Sequence, residues 1–214
     1  FSKAHIEGIT TLSAEDIAHA ERLGYTVKLL GITRARENGI ELRVHPTLVP
    51  SSSMLANVQG AMNAVMVHGD AVGSTVYYGA GAGELPTASA VVADLVDVAR
   101  LLTADHDHRV PYLAFQQDAM ADIPVLSMAD VVSAYYLRLR VADCPGVLAD
   151  IARILADAGI SIGSMFQEPA VNDETDIIFL THEAREGDID HAILKVQKLD
   201  FVRSPVTRLR VESL

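Results

Sequence analysis

The residues best suited to chemistry gather around a run of alternating small residues, Gly79-Ala80-Gly81-Ala82-Gly83-Glu84-Leu85-Pro86-Thr87. Alternating glycines leave no side chain between the backbone and whatever lies against it. Free N–H groups at the start of the helix that follows favour negative or polar ligand atoms. The same spacing suits a tight strand-to-helix turn that needs small residues, and a glycine-rich turn by itself does not separate the two readings. Asp143-Cys144-Pro145-Gly146 forms a second turn that opens a helix. His45 is an acid or base by type, but its place between a strand and Pro46 favours a structural role. The pairs Glu15/Asp16 and Asp94/Asp97 fall on predicted helices, where capping or solvent exposure outweighs an acid–base couple. Asp105-His106-Asp107-His108 holds four metal-ligand types, but ligands adjacent in one short loop cannot all converge on an ion. A solvated linker is the better reading, and no metal site is expected.

These residues sit in a chain of 214 amino acids, half of them hydrophobic and a fifth charged, enough for one or two domains with a core. The net charge of −11 argues against nucleic acid and anionic membranes as partners. A single cysteine, Cys144, excludes an internal disulfide and fits a reducing, cytoplasmic setting. No apolar run approaches the ~20 residues of a membrane span. No signal peptide opens the chain, which begins with Phe1 rather than Met, so a processed or truncated piece of a longer protein is expected.

The elements that must position the candidates follow from local signals. Ser13-Ala14-Glu15-Asp16 reads as a capped helix start, with Ile17, Ala20 and Leu23 as the apolar face and Gly24 as the stop. Tyr25–Thr33 reads as a strand and Asn38-Gly39 as a hairpin turn. Ile40–Val44 is a half-buried return strand, ended at His45–Pro50 by two prolines. Met54–Val58 makes a helical turn. Ala61–Val67 and Ser74–Tyr78 form a second hairpin, which delivers the chain to the glycines. A helix over 87–102 follows, with Thr87 as a cap and Val91, Leu95, Val98 and Leu102 at helical spacing. No strand–glycine loop–helix–strand unit with a downstream acidic residue is visible, so the glycines do not make a Rossmann site. Residues 104–133, interrupted by Pro111 and Pro124, read as a linker. From 134 the order is β-α-β-β-α-β, a ferredoxin-like split unit of ~80 residues. The fold class is therefore α+β: a mixed or antiparallel sheet with helices on one face, followed by the ferredoxin-like unit.

The C-terminal segment resembles an ACT domain through Leu139-Arg140-Val141-Ala142-Asp143-Cys144-Pro145-Gly146-Val147-Leu148-Ala149, Ile151-Ala152 and Gly159-Ile160-Ser161-Ile162. ACT domains typically bind amino acids near the first strand–helix turn. The resemblance thus implies an effector site at Asp143, Pro145, Gly146, Val147 and Leu148, with L-threonine as the candidate ligand. The N-terminal part is similar to homoserine dehydrogenase through Glu7-Gly8-Ile9, Ala14–Ile17, Leu23-Gly24-Tyr25, Lys28–Ile32, Val44–Pro50, Gly69–Gly73 and Gly79–Asp94. Together the two resemblances divide the chain into 1–103, part of a catalytic and dimerisation domain; 104–133, a linker; and 134–214, a regulatory ACT domain.

That family interconverts L-homoserine and L-aspartate 4-semialdehyde with NAD or NADP in the biosynthesis of threonine, methionine and isoleucine. The resemblance places Gly83, Glu84, Pro86 and Thr87 beside the nicotinamide. It implies a homo-oligomer, dimer or tetramer. It also implies that the nucleotide-binding domain and the catalytic lysine precede the point matching Phe1, so no catalytic residue is assigned here. Neither Lys3 nor Lys28 replaces that lysine, and these residues alone are expected to be inactive. An amino-acid-binding module and a dimerisation scaffold are the alternative roles.

Overall fold

The computed structural model describes residues 2–104, 118 and 120–213. The Asp105–His108 cluster and Pro111 lie outside the described residues. Two compact units emerge, one formed by residues 1–56 with 123–214 and the other by 57–122. This division cuts across the 1–103, 104–133 and 134–214 segmentation, because strands from both ends of the chain share one sheet.

In the first unit, β1 (His5–Ile6), α1 (Ala14–Arg22), β2 (Tyr25–Arg36) and β3 (Gly39–Pro50) come from the N-terminal side. From the C-terminal side come β6 (Val132–Ala142), α3 (Val147–Asp157), β7 (Ile162–Gln167), β8 (Glu174–Thr181), β9 (Ala184–Arg185), α4 (Glu186–Val196) and β10 (Thr207–Val211). The second unit holds β4 (Met62–Gly69), β5 (Gly73–Ala80) and α2 (Glu84–Thr103). The main sheet runs β1-β3-β10-β6-β8-β7, with β2 paired to β3 and β9 to β6. Its β10-β6-β8-β7 part has the order of a split βαββαβ unit. The join is the parallel pairing of β10 with β3, Arg210 opposite Thr47 and Val211 opposite Leu48.

Both faces of this sheet are covered. Leu137, Leu139, Val141, Ile177 and Phe179 pack under α3 and α4 with Ile151, Leu155, Ile189 and Val196. On the other face Tyr136, Ile178, Leu209 and Val211 meet Ala20 of α1, Leu48 of β3, and Leu23, Tyr25 and Val27. Each large apolar side chain so covered contributes about 1.5–3 kcal/mol.

Most local signals form as expected. Ser13 caps α1, accepting from the Asp16 amide (3.1 Å), while Asp16 accepts from the Ser13 amide (3.3 Å). Gly24, Gly146 and Gly159 take positive φ at the ends of helices. Three expectations need correction. The prolines do not end β3: the strand continues through Pro46 to Pro50, paired along its length with β2. The Val44 and Leu48 carbonyls accept from the amides of Glu7 and Glu212. Pro46 faces the same side between those two bonds, where β1 has ended and β10 begins to pair, so its missing N–H breaks no ladder bond.

The second correction concerns which face of β3 is inside. Glu41, Arg43, His45 and Thr47 are buried, while Ile40, Leu42 and Val44 are only half-buried. The polar stripe enters because each charge finds a partner there. The third concerns α1, which buries Asp16, His19 and Ala20 and leaves Ile17 40% exposed. The pair between Asp16 and Arg138 turns that face towards the sheet.

Candidate functional site

Two strand-to-helix turns carry the candidate residues. The first begins with the β4–β5 hairpin, whose register sets Asn63 opposite Gly79 and Met62 opposite Ala80. At its far end Gly73 takes φ +74° and the Asp70 carboxylate accepts from the Ala71 amide (2.7 Å). The chain leaves β5 through Gly81, whose amide donates to the Ala61 carbonyl (3.1 Å). Gly83 then caps α2 with φ +130° and ψ 149°. That backbone conformation favours glycine by itself, and a Cβ there would sit 3.3 Å from Pro86 Cδ. Thr87 is therefore not the cap; it lies one turn inside the helix, its amide donating to the Gly83 carbonyl (3.1 Å).

Each glycine has its own reason. A Cβ on Gly79 would meet nothing within 4 Å, whereas one on Gly81 would run into the Asn63 carboxamide. Nothing in the sequence pattern marked Asn63; the hairpin register alone brings it here. Gly81, Ala82, Gly83, Glu84, Thr87, Ala88, Val91 and Val92 line an open groove of about 810 Å³. The first helical amides, those of Glu84 and Leu85, have no acceptor within the helix, and Pro86 has no N–H. Glu84 is the groove's one ionisable side chain.

The second turn joins β6 to α3. Gly146 caps the helix with φ +98°. The Asp143 amide donates to the Asp173 carbonyl (2.9 Å), and its exposed carboxylate accepts from Gln167 Nε2 (3.4 Å). Val147 is buried and offers only backbone to a ligand; Leu148 is half-buried against the core, and Pro145 and Gly146 are exposed. A cavity of about 10 Å³ between Leu137, Leu139, Ile151 and Val206 is too small and too apolar to be a site.

The remaining ionisable candidates are structural. His45 is fully buried, accepting at Nε2 from Arg43 Nη1 (2.9 Å), with Nδ1 between the Pro46 carbonyl (3.1 Å) and Thr47 Oγ1 (2.9 Å). Burial, with Arg210 and Arg43 nearby, lowers its pKa to about 4, so the ring is neutral. Arg43 pairs with Glu41 (3.0 Å) and Glu212 (2.7 Å). Arg210 binds Glu7 through both terminal nitrogens (2.8 Å each) and Glu186 at the start of α4, which also accepts from Tyr135 (2.8 Å). The Arg210 hydrogen bonds hold the Glu7 carboxyl far below its usual range. Burial pushes the Glu186 carboxyl up, but Arg210, Arg208 and Tyr135 outweigh it and the pKa falls.

Asp16 is likewise lowered against its burial by Arg138 (2.6 Å) and Ser13. It locks α1 to β6, and Tyr136 donates to it (3.1 Å). Asp97 makes a surface pair with Arg100 (3.3 Å). Among the described residues no group of His, Cys, Asp or Glu is arranged to hold a metal, and no helix is long and apolar enough to cross a membrane.

Comparison with known proteins agrees with this arrangement. The homoserine dehydrogenase family model matches residues 1–96, and the ACT domain model matches 135–201. All of the chain aligns with half of the homoserine dehydrogenase of Pseudomonas aeruginosa at 54% identity, and with 49% of that of Neisseria gonorrhoeae at 52%. The crystal structure of a homoserine dehydrogenase from Thiobacillus denitrificans superposes with a TM-score of 0.91 and 61% identity, over 99% of this chain and 48% of that one. The chain thus spans about half the length of the relatives it matches. From the strands that deliver the glycine turn to the ACT unit, the chain is similar over its whole length to a stretch of these homoserine dehydrogenases consistent with their C-terminal half.

Proposed function

We propose that the protein carrying this chain is an NAD- or NADP-dependent homoserine dehydrogenase interconverting L-homoserine and L-aspartate 4-semialdehyde. Gly83, Glu84, Pro86 and Thr87 would form a wall against the nicotinamide end of its cofactor. The observation that carries this is the open groove at the start of α2, lined by the small residues Gly81, Ala82 and Gly83 with one carboxylate, Glu84, beside them. Glu84 favours a cationic ring and disfavours a phosphate, so the fit is to the nicotinamide end rather than the pyrophosphate. The nicotinamide, when bound, supplies the hydride acceptor. Ala88, Val91 and Val92 give an apolar floor, and the Glu84 and Leu85 amides offer donors to a carboxamide. The lining holds no lysine or histidine, and its one carboxylate, Glu84, faces the nicotinamide ring in this reading rather than the substrate hydroxyl, so these 214 residues would supply one wall of the site and are expected to be inactive alone.

Gly83→Val in the full-length enzyme should raise KM for the cofactor about tenfold or more, by blocking the approach. Unchanged cofactor affinity and turnover would overturn the assignment. Homoserine oxidation by the isolated 214-residue chain would overturn the single-wall reading.

The turn at Asp143, Pro145, Gly146, Val147 and Leu148 is proposed as the effector site, its helix-start amides taking the carboxylate of L-threonine. Calorimetry with L-threonine, isoleucine and methionine tests it, and no heat at millimolar concentration sinks it. A homo-oligomer, dimer or tetramer, is proposed from the uncovered apolar surface of α2 and the β4–β5 hairpin. A full-length monomer in sedimentation at high concentration would exclude it. The cytoplasm fits this biosynthetic role and the single exposed thiol of Cys144.

A further inference from the structure

We infer that Asn63 is a positioning residue for the cofactor wall, holding the glycine turn in the shape that presents Gly83 and Glu84. The inference rests on the cofactor reading above. Asn63 lies opposite Gly79 on β4, and its side chain crosses to the next turn residue on the same side, Gly81. A Cβ built on Gly81 would overlap the carboxamide nitrogen and lie 2.5 Å from Asn63 Cγ and 3.3 Å from its Cβ. The carboxamide end of the side chain therefore occupies the space that glycine leaves.

Asn63 is exposed, and among the described residues its carboxamide forms no hydrogen bond. The side chain is thus laid against the backbone rather than tied to a polar partner. Gly81 and Gly83 are the two freest residues of the turn, and ordering them costs conformational entropy. A planar carboxamide packed on Gly81 removes part of that freedom before the cofactor arrives, so less ordering remains at binding. The glycines divide accordingly: position 83 is glycine for its φ, position 81 makes room for the Asn63 carboxamide, and a Cβ at position 79 would meet nothing within 4 Å.

The test uses full-length enzyme and steady-state kinetics with the nicotinamide cofactor varied. Asn63→Ala should raise cofactor KM about tenfold while lowering kcat less. Gly81→Ala should do the same by expelling the carboxamide, and the double variant should be no worse than either single one. Thermal unfolding of each variant separates loss of fold from loss of positioning. If Asn63→Ala leaves KM unchanged, or if the two substitutions add, while Gly83→Val still raises KM, the positioning role falls and the cofactor wall stands. If Gly83→Val also changes nothing, it is the cofactor wall that falls.

Discussion

The Arg43 and Arg210 guanidinium groups are 1% exposed in the sheet unit, while Leu85, Leu95 and Leu102 stand 80%, 64% and 72% exposed in the hairpin–helix unit. The two units invert the usual preference in opposite ways. In the first, charges enter the interior because every one is matched: Arg210 by Glu7 and Glu186, Arg43 by Glu41 and Glu212, and Arg138 by Asp16. Three of these pairs, Arg210–Glu7, Arg43–Glu212 and Arg138–Asp16, join opposite ends of the chain, so they exist only once the N-terminal strands and the ACT strands share a sheet. In the second, a hairpin and a helix form from local sequence, yet α2 buries none of its residues. The first unit completes itself, whereas the second carries the groove and awaits a cover.

The sharpest way to break this contrast is to unmatch a buried charge. Arg210→Met leaves Glu186 and Glu7 without their main partner and should destabilise the sheet unit by about 3–5 kcal/mol. An unchanged urea midpoint would show that the network is not what holds the two ends of the chain together.

Acid should act on the same unit by a smaller amount. Unfolded His45 binds a proton near 6.5, but in the fold burial and the two arginines lower that to about 4. The unfolded chain therefore gains a proton first, and stability should fall by something on the order of 3 kcal/mol as the pH drops from about 6.5 to about 4. Below 4.5 the lowered carboxyls of Glu41, Asp16 and Glu186 add to the loss. His45→Gln should flatten the upper part of that curve in urea titrations at stepped pH, and an identical slope would remove His45 from the account.

The smallest effect is expected where the contrast is greatest. Leu95→Ala in this chain removes an exposed side chain from a good helix former and should change stability by less than about 0.5 kcal/mol. A loss of several kcal/mol would mean that the helix is already covered. In the full-length protein the same substitution should cost more, because an assembled α2 would bury that residue.

Local residues determined much of this protein. The Ser13–Asp16 box, the glycines at 24, 146 and 159, the hairpins and the α3 and α4 faces were legible because each depends on contacts a few residues apart. The glycine turn was legible as a turn, and the family resemblance supplied its proposed role. What only the tertiary structure decided is which side of β3 faces inward, how Pro46 survives inside a strand, and which side chain fills the space beside Gly81. A period-2 pattern reports that two faces differ, not which one is buried. That choice belongs to partners far along the chain: Arg210, Glu212 and Glu7 for the stripe Glu41-Arg43-His45, and Asn63, reached through the hairpin register, for Gly81. The pairing energy of charges and the exclusion of overlapping atoms are fixed by distances in space, and sequence separation carries neither.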